Sequence, residues 1–190
     1  AAVAESSGPI DVLVANAGVA ADEGSIEELP AAEMQRLMDV NVSGVFLALK
    51  HGPRFMSDGG SIITTGSVAG SGTTNPGAAV YSASKAAVSY LTRTAAIELA
   101  PRAIRANTVC PALIAGTGMM TEDDGGDEAR MLASLTALGR MGRLDEVVGA
   151  YQFLASDAAS FITGQEIRVD GGMTAGFGLP LFDAVGRSLG

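Results

Sequence analysis

The chain has 190 residues, of which 47% are hydrophobic and 17% charged, which predicts one globular domain with a sizeable core and argues against disorder. Its net charge is −9 and its 12 lysines and arginines are scattered, so we expect no nucleic-acid partner. No apolar run approaches ~20 residues, the first residues do not resemble a secretion signal, and the single cysteine allows no internal disulfide; we therefore predict a cytoplasmic protein without a membrane partner.

Short apolar runs alternate with stretches of helical periodicity along the chain. We predict strands at residues 10–15, 61–67 and 103–110, and a last strand and turn at residues 164–172. The predicted helices, the first of them only a helix end, lie at residues 1–7, 31–57, 77–99, 131–138 and 145–155. Residues 112–130 are predicted to be flexible, and the tail from 173 to 190 has no clear period. Strands that alternate with helices predict an α/β fold with a mostly parallel sheet.

The first strand, IDVLVA at residues 10–15, is as apolar as a central strand, yet only a helix end precedes it. An unpaired outer edge would expose a row of backbone groups. We therefore expect either that another chain covers this edge or that the sequence belongs to something longer.

Tyr81 and Lys85 lie four residues apart in a predicted helix, so both side chains lie on one helix face. A phenol has a pKa near ~10, and a nearby ammonium favours the phenolate. The pair can therefore act as a proton donor and acceptor. The same spacing also occurs on many helices as a snorkelling lysine beside a packed ring.

Three polar residues have positions that strengthen the catalytic interpretation. Ser67 and Asn16 each end a predicted strand, where ligands gather in open parallel sheets, and Asn41 interrupts an apolar helix. Each also has a structural interpretation: a turn serine, a strand-end amide, or a buried amide at a helix kink.

In this order, six segments resemble the short-chain dehydrogenase/reductase family. They are DVLVANAG (11–18), NVSG (41–44), GSVAG (66–70), YSASKAAV (81–88), IRANTVCP (104–111) and the stretch from GRLDEVV to VDGG (142–172). The resemblance runs almost from end to end and implies a Rossmann-like, three-layer αβα domain that interconverts a secondary alcohol and a ketone with NAD or NADP. It implies no metal.

The resemblance assigns roles to individual residues. Tyr81 would be the general acid/base, Ser67 would hold the substrate oxygen, Lys85 would lower the Tyr81 pKa and bind the nicotinamide ribose, and Asn41 would join Lys85 to a proton relay through its backbone and a water. The implied cofactor-binding residues are Asn16, Ala17, Gly18, Tyr81, Lys85, Pro111, Ala112, Ile114 and Thr117. The implied substrate-binding residues are Ser67, Ala69, Tyr81, Met119 and Met120, beneath a substrate lid within residues 112–138.

The chain departs from the family pattern in three places. It has no T-G-x-x-x-G-x-G turn for the pyrophosphate, so we expect a partial domain, N-terminally truncated, without the family's first three strands and without its determinant for NAD or NADP. The interval from Ser67 to Tyr81 is one residue longer than usual, which leaves Ser71 as a reserve for the catalytic serine. Ala112 stands where the family has glycine, and a positive φ there would strain the backbone.

Two further functions remain open at this stage. A 3-oxoacyl-[acyl-carrier-protein] reductase would need a basic docking patch, for which Arg93, Arg102 and Arg105 are candidates, although the acidic net charge weakens it. The chain could instead be a non-catalytic fragment or interaction module. By resemblance we also expect a homo-oligomer, either a dimer or a tetramer.

Overall fold

Four parallel strands form one sheet in the computed structural model, which describes residues 2–20, 24–117 and 126–188. The strands are β1 (Ile10–Ala15), β2 (Met56–Thr65), β3 (Arg105–Pro111) and β4 (Glu166–Val169). They lie side by side in the order β1-β2-β3-β4, and every pair is parallel. The predicted α/β class and parallel sheet are confirmed.

The helices alternate with the strands. They are α1 (Ala2–Ser7), α2 (Ala31–Met38), α3 (Gly44–His51), α4 (Val68–Ser71), α5 (Ala79–Glu98), α6 (Asp127–Ser134), α7 (Leu144–Ala155) and α8 (Leu179–Ser188). Short 3₁₀ turns cover Gly52–Phe55, Ala100–Arg102 and Asp157–Ala159.

The helix predicted over residues 31–57 is helical from Ala31 to His51, but it contains a π turn and ends earlier than predicted. A π-helical turn over Asp39–Ser43 separates α2 from α3, and the Gly52–Phe55 turn then ends the helix. Pro53 cannot donate the backbone hydrogen bond that would continue the helix, so β2 begins at Met56, five residues before the predicted start.

Two other boundaries differ from the predicted ones. The helix expected at residues 131–138 is α6 at Asp127–Ser134, where two acidic residues occupy the first turn and suit the positive end of the helix dipole. The tail without a clear period contains α8.

Helices cover both faces of the sheet. Adjacent residues Ile62 and Ile63 on β2 point to opposite faces, as the pleat requires. Ile62 packs with α5 residues Ala95 and Ala96, whereas Ile63 packs in the cluster that contains Leu154 of α7. The site discussed below therefore sits at the end of a sheet that is buried between two helical layers.

β1 forms an edge of the sheet among the described residues, with β2 as its neighbour. Leu13 packs into the cluster beside α5, so the alternate residues Val12 and Val14 point to the opposite face, where they are 37% and 47% exposed. The strand is apolar, as expected, and whether a further segment or chain covers it stays a prediction. Within the described ranges, no helix has the length and hydropathy of a membrane span.

Candidate active site

The candidate site lies beyond the carboxyl ends of β1, β2 and β3. Asn16 follows β1, Ser67 follows β2 by two residues, and Pro111 ends β3. Because parallel strands end at the same edge of a sheet, these residues share one rim. The first turns of α5 bring Tyr81 and Lys85 to the same rim.

Lys85 is a buried cation beside the Tyr81 ring. Its side chain is on the same face of α5 as Tyr81, with Nζ 5.8 Å from the ring centroid, and the residue is 4% exposed. Nζ donates to the backbone oxygen of Thr65 at 3.0 Å. Burial lowers the pKa of Lys85, because it disfavours the charged form.

Ser67 and Tyr81 meet, as expected for a hydroxyl and a phenol that share a substrate oxygen. The Ser67 side chain lies close enough to Tyr81 to lower the pKa of its phenol. Ser67 Oγ also accepts from the backbone N–H of Ala69 at 3.1 Å and so caps α4. The reserve candidate Ser71 is instead engaged by the guanidinium of Arg168, through both its hydroxyl and its backbone oxygen.

The electrostatics of Tyr81 differ from the expected lowering by Lys85. Burial raises the pKa of Tyr81, and the hydrogen bond from Ser67 offsets only part of that effect. The lysine is itself desolvated, which weakens its hold on a proton. The phenol is therefore protonated at neutral pH and is set to donate.

Asn41 occupies the π turn and is fully buried. Its Oδ1 accepts from the N–H of Val19 at 2.8 Å, and its Nδ2 donates to the Val19 oxygen at 2.9 Å and to Ser84 Oγ at 3.0 Å. Ser84 Oγ donates in turn to the backbone oxygen of Tyr81 at 2.7 Å. The Asn41 amide thus ties the loop after β1 to the first turn of α5, and π turns often occur at functional sites.

Gly18 lets the backbone after β1 approach the buried ammonium closely. A Cβ atom at this position would lie 3.0 Å from Lys85 Nζ and 3.3 Å from Asn41 Oδ1. An ammonium has three donors, and one hydrogen bond from Nζ, to Thr65, is found among the described residues. A buried ammonium with further donors fits a ligand with hydroxyl acceptors, such as a ribose.

The segment after β3 has no left-handed strain at Ala112. Ala103 is the one non-glycine residue with positive φ in the described ranges. Ala112 therefore has an ordinary negative φ, and alanine replaces the family's glycine at position 112 without backbone strain. The Ala112 N–H donates to Val169 and extends the β3–β4 ladder. Ile114 bridges to Gly142, and the Thr117 hydroxyl donates to the Ile114 oxygen at 3.1 Å.

The remaining assigned residues are less constrained by contacts. Ala17 is exposed, while Ala69 and Pro111 are half-buried at the rim. Met119 and Met120 lie outside the described residues, as does the central part of the predicted lid.

Sequence reasoning missed Thr65 and Tyr151. Thr65 Oγ1 donates to Asn16 Oδ1 at 2.7 Å and lies 2.5 Å from the hydroxyl of Tyr151 on α7. The available signal was a tyrosine among the apolar residues of α7, because the polar tip of a packed tyrosine usually has a partner.

Other reactive groups lie away from this chemistry. Cys110 is fully buried and burial raises its thiol pKa, so it is a poor nucleophile. His51 is exposed at the end of α3, where its ring contacts Arg54.

In the described part of the chain, no three His, Cys, Asp or Glu side chains converge as metal ligands would. A cavity of about 130 Å³ lies beyond β3 and β4 and is lined by neither Ser67 nor Tyr81.

Known proteins match this chain over most of its length. A family model described as enoyl-(acyl carrier protein) reductase matches residues 1–174. The cis-4-hydroxycyclohexanecarboxylate dehydrogenase of Sinomonas cyclohexanicum is 42% identical over 88% of this chain and 67% of its own length. The 3-oxoacyl-[acyl-carrier-protein] reductase of Synechocystis sp. is 43% identical over 86% of this chain and 65% of its own length.

Solved structures agree with the sequence matches. A short-chain dehydrogenase/reductase from Serratia marcescens has a TM-score of 0.84 and 39% identity over 91% of this chain and 69% of that one. The chain belongs to the short-chain dehydrogenase/reductase family. A second similar structure, a blue fluorescent protein from a metagenomic library in complex with NADPH, has a TM-score of 0.81 and 36% identity over 87% of this chain and 66% of that one.

The predicted family and Rossmann-like class are thus confirmed. As a short-chain dehydrogenase/reductase, the chain is an NAD(P)-dependent oxidoreductase by family.

Proposed function

We propose that this short-chain dehydrogenase/reductase interconverts a secondary alcohol and a ketone, with Tyr81 as the general acid and base. The observation that carries the proposal is the proximity of the Ser67 hydroxyl to the Tyr81 phenol, whose pKa it lowers, beside the buried ammonium of Lys85. Two hydroxyls that meet at one point can hold and protonate a single substrate oxygen.

In the reducing direction, Tyr81 donates its proton to the carbonyl oxygen as that oxygen gains negative charge. Burial raises the pKa of Tyr81 and keeps it protonated at neutral pH, which suits this direction. Ser67 donates to the same oxygen and stabilises its developing charge. In the oxidising direction Tyr81 takes the proton from the alcohol, so that direction needs the phenolate and is favoured by alkaline pH.

The nicotinamide cofactor, when bound, supplies or accepts the hydride. The donors that the Lys85 ammonium retains beyond its hydrogen bond to Thr65 support a ribose beside it, because ribose hydroxyls can accept from them. Asn16, Ala17 and Gly18 would contact the adenosine side, and the segment from Pro111 through Ala112 and Ile114 to Thr117 would contact the nicotinamide. The family uses NAD or NADP, and a similar structure holds NADPH.

The carrier-protein alternative receives less support from the geometry. Arg93 pairs with Glu166, Arg102 with Asp58, and the Arg105 side chain donates to the Ser156 oxygen. Basic groups that are already engaged within the chain leave a poor patch for an acidic carrier. The favoured substrate is therefore a free small-molecule alcohol or ketone, although a carrier reductase is among the relatives.

The domain and assembly proposals follow from the same resemblance. We propose one partial Rossmann-type domain over residues 1–190, with the substrate lid within 112–138. The open edge of β1 supports a further strand beside it, from another segment or chain. A homo-oligomer, dimer or tetramer, and a cytoplasmic location remain proposals as well.

Replacing Tyr81 by phenylalanine tests the assignment of the acid. We expect turnover of a secondary ketone with NADH or NADPH to fall by about 10²-fold or more, since general acid catalysis contributes that much. The dissociation constant of the dinucleotide, followed by fluorescence, should change little. Tyr90→Phe is a matched control, because Tyr90 lies on the same helix and is 67% exposed.

Two outcomes would contradict these proposals separately. An unimpaired Tyr81→Phe variant refutes the acid/base role. Absence of NADH and NADPH binding by the folded 190-residue chain refutes its activity on its own and favours the non-catalytic alternative. Comparing a free cyclic ketone with a carrier-linked 3-oxoacyl substrate separates the two substrate classes.

A further inference from the structure

A directional hydrogen-bond chain reaches the candidate site from α7. The Tyr151 hydroxyl lies 2.5 Å from Thr65 Oγ1, and Thr65 Oγ1 donates to Asn16 Oδ1 at 2.7 Å. A threonine hydroxyl carries one hydrogen, so once it donates to Asn16 it must accept from Tyr151. The hydrogen bonds therefore run from the phenol, through the threonine, to the amide oxygen.

The direction of these hydrogen bonds determines which group of the Asn16 amide faces away from Thr65. With Oδ1 turned towards Thr65, the Nδ2 group points away from it, at an exposed position directly after β1. Within the described part of the chain, Nδ2 has no protein partner. If the threonine hydroxyl were free to turn, the amide could rotate by half a turn and present its acceptor instead.

Tyr151 suits this task because its hydroxyl stays protonated. Burial raises the pKa of Tyr151, so the phenol is a donor throughout the neutral range. The hydroxyl sits on α7, which packs on β2, β3 and β4 and is a rigid support. A merely structural tyrosine would satisfy its hydroxyl with any nearby oxygen, whereas this one bonds the residue that contacts both Asn16 and Lys85.

Thr65 contacts the two sides of the site through different atoms. Its backbone oxygen accepts a hydrogen bond from Lys85 Nζ, and its side-chain hydroxyl donates one to Asn16. Loss of the Tyr151 hydroxyl leaves the backbone oxygen in place. Loss of the Tyr151 hydroxyl should therefore leave proton transfer at Tyr81 unchanged, whereas it should change the orientation of the Asn16 amide.

We propose that Tyr151 is a positioning residue, which acts through Thr65 to hold the Asn16 amide with its NH₂ group outward, where it donates to an acceptor oxygen of the bound dinucleotide. The ligand part of this inference rests on the proposed function. The orientation of the amide does not, because it follows from the ligand-free contacts alone.

The test compares Tyr151→Phe with the control Tyr90→Phe, using the 190-residue chain. In the ligand-free protein, the side-chain NH₂ resonances of Asn16, assigned by their loss in Asn16→Asp, should shift in Tyr151→Phe and not in Tyr90→Phe. The dissociation constant of NADPH or NADH should rise about 3- to 10-fold, the usual effect of one lost hydrogen bond. The kcat value should stay within twofold of the parent value at every pH of the profile.

Thr65 variants distinguish the loss of the relay hydroxyl from a general change in packing. Thr65→Val removes the relay hydroxyl and should reproduce both effects, whereas Thr65→Ser keeps it and should restore the parent values. Thermal melts would show whether a variant has lost affinity merely by unfolding.

Each result decides a separate claim. Unchanged Asn16 resonances in Tyr151→Phe overturn the positioning role. Shifted resonances with unchanged dinucleotide affinity overturn the claim that Asn16 donates to the ligand. A fall in kcat or a displaced pH limb, with affinity unchanged, shows that the hydroxyl acts on the proton chemistry and refutes the proposal. If the parent chain binds neither dinucleotide, the proposed function fails together with the ligand claim, and the resonances still decide the orientation.

Discussion

Replacing Asn41 by alanine removes the amide that joins the loop after β1 to α5. Three hydrogen bonds at 2.8, 2.9 and 3.0 Å disappear, and the N–H and C=O of Val19 and the hydroxyl of Ser84 each lose a partner. A buried polar group left unpaired costs about 1–3 kcal/mol. Val19 is half-buried, so water can reach part of the gap. We expect the free energy of unfolding to fall by about 2–4 kcal/mol.

For a chain of this size, that loss corresponds to a fall in Tm of roughly 5–15 °C. Urea unfolding followed by far-UV circular dichroism measures it directly. Gln35→Ala is the matched control, because Gln35 is an exposed amide of α2 with one side-chain hydrogen bond, to Asp39. We expect that variant to stay within about 0.5 kcal/mol of the parent. If Asn41→Ala is no less stable than Gln35→Ala, the Asn41 amide does not hold the site together.

Three further predictions concern stability and reactivity. Gly70→Ala should lower the free energy of unfolding by about 1–3 kcal/mol, because a Cβ at this position would lie 2.8 Å from backbone atoms of α5. Gly149→Ala should raise that free energy slightly, because a Cβ there would have no atom within 4 Å. Urea titration compares the two variants. The Glu146 pKa is lowered to about 2, chiefly by a hydrogen bond from Arg140, so its carboxylate stabilises the fold above its ordinary pKa of 4.5, and that contribution is lost as the pH falls towards 2. Melting curves should therefore show a Tm deficit of Glu146→Gln at pH 7 that vanishes near pH 2, and a deficit of the same size at both pH values would contradict the assignment. Cys110 should react with iodoacetamide at least 100-fold more slowly in the native protein than in urea, since it is buried and its pKa is raised; rapid native labelling would refute this.

The sequence predicted the elements whose signals are local and strong. IDVLVA forms β1 at the predicted residues, because a short β-branched, apolar run bounded by turn residues is typical of a strand. The helix with Tyr81 and Lys85 also formed, since its small and apolar residues continue without a break from Ala79 to Glu98. The convergence of Ser67 on Tyr81 followed from the order of strands and helices.

Long-range contacts account for what the sequence did not reveal. The π turn at Asn41 is stabilised by hydrogen bonds to Val19 and Ser84, which lie 22 and 43 residues away. The link between Tyr151 and Thr65 spans 86 residues and depends on how α7 packs. The raised pKa of Tyr81 depends on burial, which spacing along a helix does not report.

The π turn also changes how the two halves of the broken helix relate to the sheet. The Gly44 N–H bonds to the oxygen of Asp39, five residues back instead of four, so one extra residue is wound into the turn. An extra residue rotates everything after it by about 100° around the helix axis. A hydrophobic stripe that faces the protein along α2 would therefore turn away in α3 unless the sequence changes phase at the same point. The apolar pattern of this segment must be read as two registers joined at Asn41, and any alignment that treats residues 31–51 as one regular helix will assign the wrong face to one half.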